Sequence, residues 1–327
     1  MDLGSIKSYV GNDWTLVQEC INSALLSDIG LLNDTNVTVL SHSGKQLRPL
    51  LSVLMARACS GGRITDASIR YAAAAELLHN ATLLHDDVAD DSDRRRGFPT
   101  IRSLMGPSVS VLVGDYWLVK AMELIFGDNG DDTRMIRLFS KTLGDLAEGE
   151  MLQLQKAQSG DTDESDYLKI IYGKTASLFE AACVSGAVSV NASDEMERTA
   201  GKYAVSLGLA FQIRDDMFDY AGTDSAGKPT GVDVLEKKIT LPLLGALASV
   251  SAEKSREVRE MVRCIGADLS VRDEIMAFVR ENGGLEYASG RLGHYVDEAV
   301  AALEIFPESR EKECLVDLAH FTAKRIV

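Results

Sequence analysis

The sequence predicts an all-α fold, a single-domain helical bundle, on three observations. Helical periodicity recurs almost throughout the chain. Only six prolines occur in 327 residues, and aromatic residues make up 6%. Strands draw on β-branched and aromatic residues, so an Ala- and Leu-rich chain of this kind favours helices. Hydrophobic residues are 46% and charged residues 25%, ordinary for a globular protein. One domain over residues 1–327 can bury a large core.

Taken in order, Leu50 to Cys59 follows Pro49, a residue favoured near helix starts. Ala67 to Asp91 reads as a long helix with Ala-rich and Leu-rich faces and no internal Gly or Pro. Val109–Phe126, Thr133–Gln158, Ser165–Val190, Asp194–Tyr220 and Leu241–Val250 continue the pattern, and 253–324 reads as several shorter helices. Loops fall at SGG (60–62), RRGFP (95–99), GDNGDD (127–132) and SGDTDES (159–165). The longest, 221–238, is rich in Gly, polar residues and Lys, and a loop of that length in a compact helical domain is usually functional.

The formal charge of −15 argues against a nucleic-acid partner, which needs a basic surface. Any anion site must be built locally from a few Lys and Arg. The five cysteines are widely spaced and lack a zinc or disulfide pattern, which fits a reducing compartment. The N-terminus lacks the basic-then-apolar order of a signal peptide, and no run of about eighteen apolar residues is present to span a membrane. The expected location is the cytoplasm.

Two acidic clusters carry the chemistry. Asp86, Asp87 and Asp90 sit at i, i+1 and i+4 near the end of the long Ala-rich helix, and Asp215, Asp216 and Asp219 repeat that spacing near the end of another. Residues at i and i+4 share a face, where like charges cost helix stability, and a helix C-terminus disfavours anions further. A solvated acidic helix end is the plain reading of one such cluster. Here each follows an apolar run, ATLL or LGLAFQI, which places it at the rim of a core. Hard carboxylate oxygens suit Mg²⁺, which keeps waters and is completed by substrate phosphates. Basic residues stand nearby: Lys45 and Arg48 in GKQLRP, Arg94 to Arg96 after the first cluster, and Lys174, Lys228 and Lys238 near loop edges. Guanidinium forks and ammonium groups bind phosphate oxygens.

Eight segments in order, GKQLRP (44–49), LLHNATLLHDDVADDSDRRRGFPT (77–100), VLVGDYW (111–117), LAEGEMLQLQ (146–155), YGKTASLF (172–179), FQIRDDMFDY (211–220), GKPTGVD (227–233) and KKITLPLL (237–244), resemble the trans-polyprenyl diphosphate synthases. The resemblance implies an all-α fold around a central cavity, usually a homodimer, joining an allylic diphosphate such as farnesyl or geranylgeranyl diphosphate to isopentenyl diphosphate. By similarity, Asp86, Asp87, Asp90, Asp215, Asp216 and Asp219 hold Mg²⁺. Lys45, Arg48, His79 and Arg96 match the isopentenyl diphosphate pocket. Arg95, Lys174, Gln212, Lys228 and Lys238 match residues that hold the allylic diphosphate, with Lys174, Thr175 and Gln212 nearest the chemistry. The family usually has Gly where Lys237 stands, and Arg94 lengthens the basic run, so the register of both phosphate-binding pairs is open by one residue. Asp91 and Asp93 have no assigned role, His85 reads as structural, and His42, His294 and His320 carry no signal.

Product length is expected to depend on the helix face behind Asp86. Leu78, Ala81 and Thr82 lie there, with Ala74 and Ala75 further down. Relatives making short products block this face with Phe or Tyr, so small residues imply a product longer than C20. Ala that merely allows close helix packing, with a stop near Met122 or Leu124, is the competing reading. A terpene cyclase shares the Asp motifs but lacks GKQLRP and RRG, and a regulatory subunit usually loses the Asp motifs.

Overall fold

Helices form nearly all the regular structure of this computed structural model, which describes residues 2–127, 133–220, 230–266 and 269–324. The N-terminal part holds α1 (Leu3–Val10), α2 (Asn12–Ala24), α3 (Gly30–Ser41), α4 (Leu47–Ser60) and α5 (Asp66–Ala89). A small hairpin, β1 (Arg94–Arg95) paired with β2 (Phe98–Pro99), leads to α6 (Ile101–Met105) and α7 (Pro107–Phe126). Next come α8 (Thr133–Ser159), α9 (Glu164–Ile171), a π-helical turn (Tyr172–Ala176), α10 (Ser177–Ser189) and α11 (Asp194–Tyr220). The chain ends with α12 (Val232–Leu235), α13 (Leu241–Ala248), α14 (Ala252–Cys264), α15 (Leu269–Glu281), α16 (Gly284–Ala302) and α17 (Arg310–Lys324).

Three boundaries differ from the sequence reading. Helix α4 starts at Leu47 rather than Leu50. Pro49 then occupies the third helical position, where its missing N–H is one of the donors a helix start leaves unpaired anyway. The RRGFP stretch is a hairpin rather than an open loop. Ser165–Val190 is not one helix, because the π turn at Tyr172–Ala176 inserts an extra residue into it. The Ser177 hydroxyl donates to the Gly173 carbonyl at 2.6 Å, satisfying an acceptor in that turn. A Cβ on Gly173 would lie 2.5 Å from the Asp145 carbonyl and 3.0 Å from the Gly149 Cα, so only glycine lets this turn approach α8 so closely.

The chain divides into two compact units. The first comprises Met1–Ser140, Leu178–Gly201 and Leu303–Leu318. Its centre is α5, packed by α7, α4 and α2. Ala72 to Ala75, Leu77 and Leu78 are all fully buried on it. Each buried Leu contributes about 1.5–3 kcal/mol, and the alanines let neighbouring helices come close. The fully buried Trp117 of α7 donates its indole N–H to Asn36 Oδ1 at 2.7 Å, and Asn36 donates to the Leu25 carbonyl at 2.9 Å. The N-terminus of α5 is closed by a capping box between Thr65 and Ser68. Its C-terminal turn holds Asp86 and Asp87 with no basic residue, and Asp90 follows as the C-cap.

The second unit comprises Lys141–Ser177, Lys202–Ala302 and Ala319–Val327. Its most buried helix is α13, which lies against α16, α15, α14 and α9. The end of α11 also lacks a basic residue in its last turn while carrying Asp215, Asp216 and Asp219. Both acidic clusters therefore stand against their helix dipoles. Part of the loop expected at 221–238 is ordered as α12, and residues 221–229 lie outside the described residues.

Candidate active site

In the first unit, the acidic end of α5 meets the basic hairpin. Arg95 Nε donates to Asp87 Oδ1 at 2.7 Å, with Asp87 almost fully buried. Burial raises the Asp87 carboxyl, and Arg95 draws it back down. Asp86 is partly exposed and Asp90 exposed, on the open side of the helix end. Register Arg95↔Phe98 makes Arg96 and Gly97 a two-residue hairpin turn, with φ of +52° and +83°. Those values match a type I′ turn, whose first position favours Asn or Gly. Arginine there costs about 1 kcal/mol, which neighbouring contacts must offset.

Those contacts come from the loop before α4. Arg96 Nη1 donates to the His42 carbonyl at 3.0 Å. A Cβ on Gly44 would fall 2.1 Å from that same nitrogen, so Gly44 makes room for the guanidinium. Gly44 has φ of +74° as well. Arg48 stacks its guanidinium over the Phe179 ring at 4.8 Å. Lys45 is exposed on the same loop. Loss of hydration, then repulsion from Arg48, Arg96 and Arg95, holds His79 well below the usual imidazole range. Arg48, Arg96 and Arg95 thus all disfavour the charged form of His79.

The three arginines of the basic run have different surroundings. Arg95 and Arg96 face Asp87 and the Gly44 loop, while Arg94 Nη1 bonds the Gly97 carbonyl within the hairpin at 3.2 Å. Asp91 and Asp93 both pair with Arg102 of α6, the second at 2.8 Å, and hold the base of the hairpin. His85 lies against Gly114 and pairs with Asp115 at 3.1 Å.

In the second unit, a cleft of about 100 Å³ is lined by Tyr167, Lys174, Gln212, Asp216, Asp233 and Lys238, among others. Both Asp216 oxygens are engaged. Oδ2 accepts from the Tyr167 hydroxyl at 2.6 Å, and Oδ1 accepts from Gln212 Nε2 at 2.8 Å. Gln212 Oε1 in turn accepts from the Thr175 hydroxyl at 2.7 Å. Thr175, on the π turn, is part of this chain of hydrogen bonds, and Lys174 of the same turn lines the cleft. Lys174 Nζ lies 2.6 Å from Glu150 and 3.1 Å from Gln153, both on α8.

Asp219 has a different task. Its Oδ1 and Oδ2 accept from the backbone N–H groups of Val232 and Asp233, each at 3.0 Å, so it caps α12 from another helix. Burial raises Asp219, and these two N–H groups pull it down. Burial raises Asp216 to about 6, against the pull of Tyr167 and Gln212. Asp233 is raised well above the usual range by burial and then by Asp216 and Asp219. Lys238 pairs with Glu236 and lines the cleft, whereas Lys237 is held at φ +61° by the turn. A left-handed residue at 237 explains why glycine suits that position. Lys228 lies outside the described residues.

Sequence reasoning missed Tyr167, Glu150, Gln153 and Asp233. The last three lie within segments already quoted, but nothing in their spacing marks them. Among the described residues, no three His, Cys, Asp or Glu side chains converge into a complete metal cage.

A sequence profile described as Polyprenyl synthetase matches residues 30–279. The octaprenyl diphosphate synthase of Haemophilus influenzae is 36% identical over 326 residues, covering 99% of this chain and 98% of that protein. The crystal structure of a decaprenyl diphosphate synthase from Rhodobacter capsulatus superposes with a TM-score of 0.91 at 34% identity, covering 100% of both chains. A polyprenyl synthase from Caulobacter crescentus, crystallised with calcium and isoprenyl diphosphate, gives a TM-score of 0.89 at 34% identity, over 99% of this chain and 98% of that one. With the profile spanning most of the chain and relatives aligned end to end, this protein belongs to the polyprenyl synthetase family.

Proposed function

We propose that this trans-prenyltransferase condenses an allylic diphosphate, such as farnesyl or geranylgeranyl diphosphate, with isopentenyl diphosphate to give an all-trans product longer than C20. The observation that carries the reading is that the Arg96 guanidinium lies against Gly44 and the His42 carbonyl, which brings the basic hairpin to the loop that leads to Lys45 and Arg48. A cyclase handles one diphosphate; a condensing enzyme needs a second anion pocket apart from the metal-binding carboxylates. Lys45 completes that pocket for isopentenyl diphosphate, and the neutral His79 can donate one hydrogen bond to it.

In this reading Asp86, Asp87, Asp90, Asp215, Asp216 and Asp219 would hold Mg²⁺. Asp87, Asp216 and Asp219 keep lone pairs for the ion but are oriented by the protein donors described above. Bound Mg²⁺ would supply positive charge at the leaving diphosphate, the stabilisation that ionising its C–O bond to an allylic cation requires. Arg95, Lys174, Lys228 and Lys238 hold that diphosphate; Lys174 exchanges Glu150 for a phosphate oxygen as the substrate enters. Thr175 and Gln212 orient the reacting carbon and shield it from water. Isopentenyl diphosphate attacks through its double bond, and the proton it then loses goes to the released diphosphate.

A homodimer and a cytoplasmic setting belong to the same reading. On α7, Leu112, Val119 and Phe126 recur at seven-residue spacing, and all three are exposed. Leu26, Ile29 and Leu31 near α3 are exposed too. An apolar stripe of that length on a water-facing helix suits a second copy. The five cysteines are all free, and no described helix is long and apolar enough to cross a membrane.

Incubation of the purified protein with Mg²⁺, farnesyl diphosphate and radiolabelled isopentenyl diphosphate should yield labelled polyprenyl diphosphates. Failure to condense overturns the proposal, and a cyclic hydrocarbon points to a cyclase instead.

Tyr167→Phe tests the hydrogen-bond chain. Losing one bond to a buried carboxylate costs about 1.5–3 kcal/mol, or roughly 10- to 100-fold in kcat/KM. The Tyr167 bond lowers the Asp216 pKa. Its removal should therefore raise that pKa further, so Asp216 stays protonated to higher pH and the acid limb of the kcat/KM profile moves upward. An unmoved acid limb would rule out this role for Tyr167.

A further inference from the structure

His42 and Phe98, neither of which the sequence singles out, form an exposed aromatic pair between the end of α3 and strand β2. Their ring centroids are 3.9 Å apart at an interplanar angle of 44°. His42 ends α3, with Nδ1 at 3.0 Å from both the Thr38 carbonyl and the Ser41 hydroxyl, so its ring is anchored to that helix. Phe98 is the hairpin residue directly after the Arg96–Gly97 turn and is 50% exposed.

We propose that the His42–Phe98 stack is a clasp that holds the tip of the basic hairpin and so sets the position of Arg96 for isopentenyl diphosphate. The clasp rests on the functional reading above. A hairpin with two residues per strand is not stable by itself. Its base is tied down by Arg102 on Asp91 and Asp93, by Arg95 on Asp87, and by Thr100 Oγ1 on the Ser92 carbonyl at 2.7 Å. Its tip carries Arg96 in a left-handed conformation that a non-glycine residue does not adopt unaided. Two contacts meet that tip from the His42 loop: the His42 carbonyl on Arg96 Nη1, and the His42 ring on Phe98. One residue therefore grips the hairpin by both backbone and side chain. The same loop continues through Gly44 and Lys45 to Arg48, so the stack fixes the two cation-bearing loops relative to each other. His42 and Phe98 are positioning residues, because their contact acts on substrate through Arg96.

Steady-state kinetics and amide exchange on the full-length enzyme test the clasp. Phe98→Ala should raise KM for isopentenyl diphosphate about fivefold to tenfold. The allylic KM and kcat should stay within about twofold of wild type. His42→Ala should do the same, and the double variant should be no worse than either single one. Phe98→Tyr, which keeps a ring, should restore the wild-type KM. In the substrate-free protein, Phe98→Ala should also speed amide exchange across residues 94–99. Both side chains are exposed, so these variants fold. Equal rises in both KM values, additive single effects, or unchanged hairpin exchange would each overturn the clasp while leaving the functional reading intact. A wild-type enzyme that takes no isopentenyl diphosphate overturns the functional reading and, with it, the pocket the clasp serves.

Discussion

Asp86→Asn and Asp215→Asn should each lower kcat about a thousandfold or more while leaving the fold intact. Asparagine matches aspartate in shape but cannot neutralise a cation. Removing one preorganised charge-stabilising group from an active site costs about 10²–10³ in rate, and a lost metal ligand costs the ion's contribution as well. Asp86 is partly exposed at the end of α5, so the Asp86→Asn enzyme should keep the wild-type fold, read by circular dichroism. Loss of turnover together with unfolding would mean that the acids stabilise the fold. Retained turnover would overturn their assignment to the metal.

Ala81→Phe should shorten the product by several isoprene units, read by chromatography of the dephosphorylated alcohols. Ala81 lies five residues before Asp86 on α5, about 7.5 Å along the helix axis. A phenyl ring at this position would close the path of a tail growing from the metal site along that face. Ala81 is 1% exposed, so the larger side chain also costs about 1–3 kcal/mol of packing. Thr82→Phe provides the control for that cost. Thr82 is only partly buried, its hydroxyl capping the His79 carbonyl at 2.8 Å, and it flanks the same route. Leu78→Ala is a poorer test, because Leu78 is fully buried and its truncation costs about 2–5 kcal/mol whatever the product does. If neither Phe variant changes the product distribution, the alanines serve helix packing and the length stop lies elsewhere.

Much of the molecule is legible in the sequence. The 3.6-residue periodicity located α5, α7, α8 and α11 to within a few residues, and the repeated i, i+1, i+4 acids marked two helix ends that act against their dipoles. Arg95, Arg96, Lys174, Thr175, Gln212 and Lys238 are legible because they lie in segments whose order and sequence resemble a known family. Other parts were hidden for physical reasons. A π turn inserts one residue into a helix, and neither propensity nor periodicity over Ser165–Val190 registers a single inserted residue. Tyr167 is an ordinary tyrosine on an amphipathic helix until Asp216 is found 2.6 Å from its hydroxyl. His42 carried no signal because its partners, Arg96 and Phe98, are more than fifty positions away.

The six aspartates are equivalent in sequence, but the structure gives them different surroundings. Asp87 is paired to Arg95, Asp216 is held by Tyr167 and Gln212, and Asp219 caps α12, while Asp90 stays exposed. By itself, the sequence determined the helical fold, the family and the places where charge is concentrated, because those depend on local periodicity and on motifs of fixed spacing. Only the tertiary structure decided which oxygens are engaged, which arginines of the basic run face the Gly44 loop and Asp87, and which remote residues hold them there. Those are set by hydrogen bonds and ring contacts between segments distant in the chain, and spacing along a sequence does not encode them.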